Sequence, residues 1–163
     1  TKQQTIDLIN KIREEVPGIA LRTTLMVGHP GETEEDYREL EDFVKTMKFE
    51  RLGVFPYSHE EDTYCDKHYQ DDVSEETKNK RAEKLMALQE GVVAALNESC
   101  VGKRFWVLID RVEGDYFVGR TQYDSPEVDQ EVFVTSEKAL QIGEFYEVLI
   151  TEAGQFELYA KCE

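Results

Sequence analysis

Residues 104–121 read RFWVLIDRVEGDYFVGRT, two runs rich in β-branched and aromatic side chains on either side of a Glu-Gly-Asp turn. Such runs predict β-strands, and a glycine flanked by acidic residues predicts a tight connection between them. Similar runs occupy residues 131–134, 145–151 and 155–161. Five short strands in so short a segment predict a small closed barrel of the oligonucleotide-binding type, because closure removes exposed strand edges.

Aromatic side chains recur along these strand segments. Their alternation predicts that they fill the barrel interior, with one or two left for contact with a partner. They are Phe105, Trp106, Tyr116, Phe117, Phe133, Phe145, Tyr146, Phe156 and Tyr159.

The first part of the chain alternates helical and extended patterns. Apolar residues recur at helical spacing in residues 2–15 and 33–47, whereas residues 19–27 and 51–57 are strand-like. Helix and strand in alternation predict parallel βα units, and two strands are too few to close a βα barrel. We therefore expect an incomplete barrel here.

The predicted fold is α/β plus all-β, in three segments. Residues 1–73 supply the βα units, and residues 74–99 form a connecting helix that begins at Ser74 and packs on them. Residues 100–163 form the five-stranded barrel.

A glycine-rich turn at residues 28–31 lies between the first strand and the next helix, in the stretch TTLMVGHPGETEED. It matches neither a phosphate loop nor a dinucleotide fingerprint. Thr33 is instead predicted as the N-cap of the helix, with Asp36 completing a capping box. Arg22, Thr24 and Gly28 lie on one strand face, which in a βα barrel would face the lumen, although a purely structural turn remains open.

The chain is strongly acidic, with 19 Lys and Arg against 35 Asp and Glu and a formal net charge of −16. This charge repels nucleic acid and favours a cationic partner, although an acidic surface that only promotes solubility remains open. No apolar run reaches the roughly 20 residues that a membrane-spanning helix needs. The chain starts without an initiator Met or a targeting signal, so we expect a piece of a longer protein.

The three cysteines, Cys65, Cys100 and Cys162, are widely spaced and form no ligand motif for zinc or an iron–sulfur cluster. They predict reduced thiols in a cytoplasmic protein. The His and acidic residues between His59 and His68 also match no metal-binding framework, so we predict a solvated loop there.

Three segments resemble the C-terminal part of radical SAM methylthiotransferases: VGHPGETEEDY at 27–37, FPYSHEEDTY at 55–64 and DRVEGDYFVGRTQYDSPEVD at 110–129. The last is the most specific, and is similar to the terminal TRAM barrel of the branch that modifies an aspartate of a ribosomal protein. The tRNA-modifying branch usually reads Y-S-x-R-x-G-T after the strand, and residues 57–63 lack that Arg and Gly. An RNA-binding TRAM module of that second branch is the alternative.

The resemblance implies a TIM-type radical SAM barrel, S-adenosylmethionine and two 4Fe-4S clusters in the full-length enzyme. It also implies methylthiolation of an aspartate β-carbon in a basic small-subunit ribosomal protein, which the acidic barrel docks. This chain lacks the cluster-binding cysteine motif, so we expect it to be inert alone, with no catalytic residue and no metal ligand of its own.

The same resemblance implies two sets of binding residues. Those expected on the S-adenosylmethionine side of the βα barrel are Arg22, Thr24, Gly28, His29 and Pro30. Those expected to contact the partner are Arg120, Asp124, Glu127 and Asp129, for which a loop fixed by an internal ion pair remains the alternative.

Overall fold

Two units, Thr1–Val92 and Val93–Glu163, make up the computed structural model, which describes residues 1–163. The first unit contains two parallel strands with helices, and the second is a closed five-stranded barrel. The predicted fold class, α/β followed by a small all-β barrel, is confirmed. None of the helices is both long and apolar enough to cross a membrane.

The elements of the first unit follow the predicted alternation. They are α1 (Lys2–Glu15), β1 (Arg22–Val27), α2 (Glu34–Met47), β2 (Arg51–Pro56), the short α3 (Tyr64–His68) and the long α4 (Glu75–Glu98), of which the residues from Val93 onward belong to the second unit. Strands β1 and β2 pair in parallel, from Arg22 opposite Arg51 to Val27 opposite Pro56.

One face of this two-stranded sheet is covered and the other is bare. Val27 and Leu85 belong to an apolar cluster that also includes residues of α2, and both are fully buried. On the opposite face, Met26 and Phe55 are register partners and are 55% and 58% exposed. The predicted face of Arg22 and Thr24 is therefore exposed in this unit.

The predicted caps form as the residue pattern requires. The Thr33 hydroxyl accepts from the Asp36 amide at 3.1 Å, and the Asp36 carboxylate accepts from the Thr33 amide at 2.9 Å. These bonds satisfy helix-terminal amides, and the hydrogen bonds from Thr33 lower the pKa of Asp36. At the start of α4, the Ser74 hydroxyl accepts from the Thr77 amide at 3.2 Å. The capping box and the Ser74 cap are both confirmed.

The second unit closes in the strand order β3-β4-β5-β7-β6. Its strands are β3 (Arg104–Glu113), β4 (Tyr116–Thr121), β5 (Glu131–Ser136), β6 (Phe145–Ala153) and β7 (Glu157–Cys162). All neighbours are antiparallel except β5 and β7, which pair in parallel from Glu131 opposite Glu157 to Ser136 opposite Cys162.

The barrel interior is aliphatic, and the expectation that aromatic residues fill it was wrong for most of them. Its core consists of Val107, Ile109, Val132, Val134, Leu140, Val148, Ile150, Leu158 and Ala160. Phe105, Phe117 and Tyr146 only pack against this core, and Trp106, Phe145 and Phe156 are exposed. Five strands enclose too narrow a lumen for layers of rings, so the larger side chains lie outside or at the ends.

Gly119 of β4 provides a test of how closely the strands approach. A Cβ at this position would lie 2.2 Å from the carbonyl oxygen of Leu108 on β3, so Gly119→Ala must push the two strands apart. We expect it to lower the free energy of unfolding of the barrel by about 1–3 kcal/mol. Denaturant unfolding followed by the emission of Trp106, the single tryptophan, measures the change.

Gly91 in α4 is the matched control, because a Cβ there meets no atom within 4 Å. Gly91→Ala should leave the barrel transition unchanged and favour the helix by about 0.5–1 kcal/mol. Equal losses from both substitutions would contradict the close approach at Gly119.

Candidate functional site

The glycine turn after β1 is held by packing against a lysine of α4. Gly28 has φ +77° and is buried, and a Cβ at this position would lie 2.3 Å from Cγ of Lys78. Its amide donates to Oε1 of Glu32 at 2.9 Å. Gly28 is therefore required for the contact with Lys78, and its amide is already satisfied within the chain.

Lys78 is wholly buried and serves as an internal counter-charge. Its Nζ donates to Asp71 and to Glu75, each at 2.6 Å, and lies 5.3 Å from the ring centroid of Tyr57. Burial by itself lowers the pKa of Lys78, but the hydrogen bonds to the two carboxylates outweigh it and the pKa is raised. The hydrogen bond from Lys78 in turn lowers the pKa of Asp71.

A second buried cation, Arg81, fastens α4 to the same loop. Its guanidinium donates to Glu32 at 2.6 Å and lies 5.2 Å from the ring centroid of Tyr37. The Tyr37 hydroxyl donates to the backbone carbonyl of Arg81 at 3.2 Å. Burial, followed by the charge of Glu41, raises the pKa of Tyr37 to about 12, so this hydroxyl stays protonated as a donor.

His29 begins a series of polar rings and carboxylates at the carboxyl ends of β1 and β2. Its Nε2 lies 3.4 Å from Sγ of Cys65, and its ring centroid is 5.2 Å from that of Tyr57. The Tyr57 hydroxyl is 3.1 Å from Nδ1 of His59, whose Nε2 lies 3.3 Å from Asp66. The segment that the sequence predicted to be a solvated loop is exposed at every residue from 59 to 68 except Cys65, although Tyr64–His68 form α3.

The residues expected near S-adenosylmethionine differ in how they are exposed. Arg22, Thr24 and His29 are exposed, whereas Gly28 and Pro30 are buried. Among residues 1–163, no three His, Cys, Asp or Glu side chains are arranged to hold a metal ion.

The barrel carries a second candidate site on its outer face, which we call the aromatic groove. This open cavity of about 440 Å³ is bordered by the carboxylates of Glu127, Asp129, Glu131 and Glu157. Its apolar lining comes from Val128, Phe133, Phe156 and Tyr159.

The floor of the groove follows from the parallel pairing of β5 with β7. Phe133 and Tyr159 are register partners whose ring centroids are 5.6 Å apart at an interplanar angle of 27°. Tyr116 of β4 meets Phe133 edge to face at 5.7 Å. Because Val132, Val134, Leu158 and Ala160 face the core, the rings between them in sequence lie on the outer surface.

The charges around this floor are only partly balanced. Arg111 donates to Glu113 at 2.8 Å and to Glu131 at 2.5 and 2.9 Å, and these bonds raise the pKa of Arg111 and lower that of Glu131. Burial, followed by the charge of Glu157, raises the pKa of Tyr159. The groove is therefore negative, with Arg111 its neighbouring counter-charge.

The four residues expected to contact a partner occupy different surroundings. Glu127 and Asp129 border the aromatic groove, and Asp129 also accepts from the Ser125 amide at 2.7 Å. Arg120 pairs with Asp110, and Asp124 is buried and accepts from the Thr121 hydroxyl. Two of the four thus border the aromatic groove, whereas Arg120 and Asp124 make hydrogen bonds within the barrel.

The sequence did not reveal the rest of the groove. Glu131 and Phe133 are about 25 residues away from Glu157 and Tyr159 in the sequence. Because short strands usually pair in antiparallel fashion, the sequence did not indicate that the two segments are parallel neighbours. The only available signal was the alternation of aliphatic and larger residues along both strands, which places the rings on one face.

Comparisons with known proteins agree with this architecture. Residues 101–162 match the family model of the TRAM domain. The chain is 57% identical over 161 residues to ribosomal protein uS12 methylthiotransferase RimO of Phocaeicola vulgatus, which covers 98% of this chain and 37% of that protein. The RimO of Porphyromonas gingivalis is 56% identical over 163 residues, 99% of this chain and 38% of that protein.

A third relative, the RimO of Parabacteroides distasonis, is 54% identical over 161 residues, 99% of this chain and 37% of that protein. The resemblance to methylthiotransferases and to their TRAM barrel is thereby confirmed. The chain spans 37% to 38% of the length of these relatives.

The buried lysine generates a stability prediction. Lys78→Met leaves Asp71 without its counter-charge, so we expect the free energy of unfolding to fall by about 2–3 kcal/mol, less than for a fully enclosed pair because Asp71 keeps some contact with water. Lys11→Met is the control, because Lys11 and its partner Glu15 are 68% and 65% exposed, and it should change stability by less than about 0.5 kcal/mol. Urea unfolding at neutral pH compares them, and similar losses would contradict the role of Lys78.

The ion pair of Lys78 and Asp71 predicts that the stability of the chain depends on pH in the acidic range. The pKa of Asp71 is lower in the folded chain than in the unfolded chain, so its contribution is complete above the unfolded pKa and disappears as pH falls through the folded one. Between about pH 5 and about pH 3, Asp71→Asn should therefore lose less stability than the parent chain. Unfolding curves across this range measure the two slopes, which must differ if the pair forms.

Proposed function

We propose that this chain, which carries a TRAM domain and is similar over nearly its whole length to the RimO proteins, is the C-terminal part of a ribosomal protein uS12 methylthiotransferase. The proposal is carried by identity at more than half of the positions across 98% of the chain. In it, residues 1–73 are the last βα units of a radical SAM barrel, residues 74–99 connect them, and residues 100–163 dock the substrate.

The geometry of the first unit supports its assignment to a larger βα barrel. β1 and β2 are parallel, helices cover one face of the pair, and the opposite face exposes Met26 and Phe55. In a TIM-type barrel, such a second face lines the lumen and the carboxyl ends of the strands carry the site. His29 would then lie toward S-adenosylmethionine, whereas Thr24 and Arg22, expected on the same side, lie deeper along β1, with Arg22 at its amino end.

The two 4Fe-4S clusters of the full-length enzyme lie outside this chain in our proposal. No group of side chains here suits a metal ion, so we expect the isolated chain to have no methylthiotransferase activity. The reaction proposed for the whole protein attaches a methylthio group to an aspartate β-carbon. Since its substrate is a ribosomal protein, we place the enzyme in the cytoplasm.

The charge of the barrel supports a basic protein as its partner. Residues 100–163 contain six Lys and Arg against thirteen Asp and Glu, for a formal net charge of −7. The three arginines among them are already paired: Arg104 with Glu163, Arg111 with Glu131 and Arg120 with Asp110. Little positive charge remains to attract phosphates, whereas a cationic protein would be drawn to this surface.

An RNA-binding TRAM module is the second candidate. It is favoured by Trp106 and Phe145, which are each 60% exposed and are the kind of side chain on which bases stack. The acidic charge of the barrel opposes it, because base stacking brings phosphates close to the same surface.

Binding to purified uS12 and to a structured RNA distinguishes the two candidates. At about 50 mM salt we expect the chain to bind uS12 at least tenfold more tightly than the RNA, and to lose affinity for uS12 at about 300 mM salt as charges are screened. Isothermal titration calorimetry measures both affinities. Tighter binding of RNA, with a steep salt dependence, would show that the docking proposal is wrong.

A further inference from the structure

We propose that the aromatic groove binds the guanidinium group of an arginine in an extended segment of a basic protein. This inference rests on the proposed docking function, which it makes specific to one surface and one kind of side chain. The groove is concave and combines stacked rings with surrounding carboxylates. All of its lining residues belong to the second unit.

The rings supply a surface suited to a flat cation. The rings of Phe133 and Tyr159 stack on each other at 27°, and Phe156 of the same groove is 54% exposed. A guanidinium is planar and weakly hydrated, so it stacks on aromatic faces and gains cation–π attraction there. The stem of an arginine would cover the apolar surface of Phe156 and Val128, which is otherwise in contact with water.

The carboxylates supply acceptors that the chain does not use up. Glu127 makes no ion pair, and the carboxylate of Glu157 accepts only from the Phe156 amide at 3.2 Å and weakly from the Tyr159 hydroxyl at 3.5 Å. Both have acceptor positions left for the parallel N–H groups of a guanidinium. A lysine would satisfy the charge but would not match two acceptors at once.

The strand register provides an independent reason for a cation here. Glu131 and Glu157 are directly opposite each other across β5 and β7, and like charges in that position destabilise a sheet. Arg111 is bonded to Glu131 but shares its charge with Glu113. Arg111 therefore serves as the counter-charge of two carboxylates, and Glu157 has no counter-charge. A bound arginine would supply one.

The charge also selects against a nucleobase as the occupant. A base could stack on Phe156 and Phe133, but its phosphate would then lie among four carboxylates. The repulsion is strongest at low salt, where nucleic acid binding is normally tightest. The groove thus favours a cationic side chain over a nucleotide.

The test uses the whole 163-residue chain and three synthetic peptides with a Gly-Ala background. The peptides carry two arginines, two lysines or two citrullines, the last being neutral and similar in shape to arginine. Affinity in the order arginine, lysine, citrulline is expected, with about tenfold between the first and last. Equal binding of arginine and citrulline peptides would overturn the proposal.

Two variants with matched controls locate the binding. The double variant Glu127→Gln and Glu157→Gln should weaken the arginine peptide about tenfold, and Phe156→Ala should weaken it about fivefold. Glu137→Gln with Glu144→Gln makes the same change in charge away from the groove, and Trp106→Ala removes an equally exposed ring. Both controls should stay within twofold, and losses equal to those of the groove variants would overturn the proposal.

Binding of uS12 to the same variants separates this inference from the function it rests on. If uS12 binds the parent chain and the groove variants equally well, the groove proposal is wrong and the docking function stands. If uS12 does not bind the parent chain, the docking function fails, and the peptide series alone decides whether the groove holds an arginine. An oligonucleotide that binds and is weakened by Phe156→Ala would also overturn the proposal.

Discussion

Closure of the barrel through the parallel pairing of β5 with β7 is the constraint on which the second unit depends. It joins the hairpin strands to the last pair in a ring of five, and so small a ring has room only for aliphatic side chains inside. The same register that points Val132 and Leu158 inward points Phe133 and Tyr159 outward. The aliphatic core and the aromatic groove are therefore two faces of one pairing.

The first unit contains two buried cations that are paired with carboxylates. Lys78 and Arg81 are both buried, and each pairs with one carboxylate outside the helices and one within a helix. Lys78 pairs with Asp71 and with Glu75 of α4, and Arg81 pairs with Glu32 and with Glu34 of α2. Such pairs are worth little net free energy but are demanding in geometry, so they specify where the loops lie. They hold the turn at Gly28 in position while the opposite face of the sheet stays bare.

Local patterns in the sequence were sufficient to predict the strands, the helices and their caps, because each of these elements depends on neighbours a few residues away. The capping box of Thr33 and Asp36 is an example. Features that depend on distant partners were not visible. The burial of Lys78 is one such feature, because it depends on packing against Gly28, fifty positions earlier. The aromatic residues were predicted to be inside the barrel because alternation separates two strand faces but does not say which of them faces the core. Predicting the groove would have required knowing that β5 and β7 are neighbours, which no local sequence pattern indicates.

The position of β7 in the ring has a consequence for how the protein is made. β7 lies between β5 and β6 and hydrogen-bonds to both, yet it follows both in the chain. Before β7 pairs, β3 to β6 can form only the open order β5-β4-β3-β6, whose two outer strands have unpaired backbone groups. Until β7 has been translated, those edges are open to other chains, so the barrel is completed in a single late step rather than strand by strand.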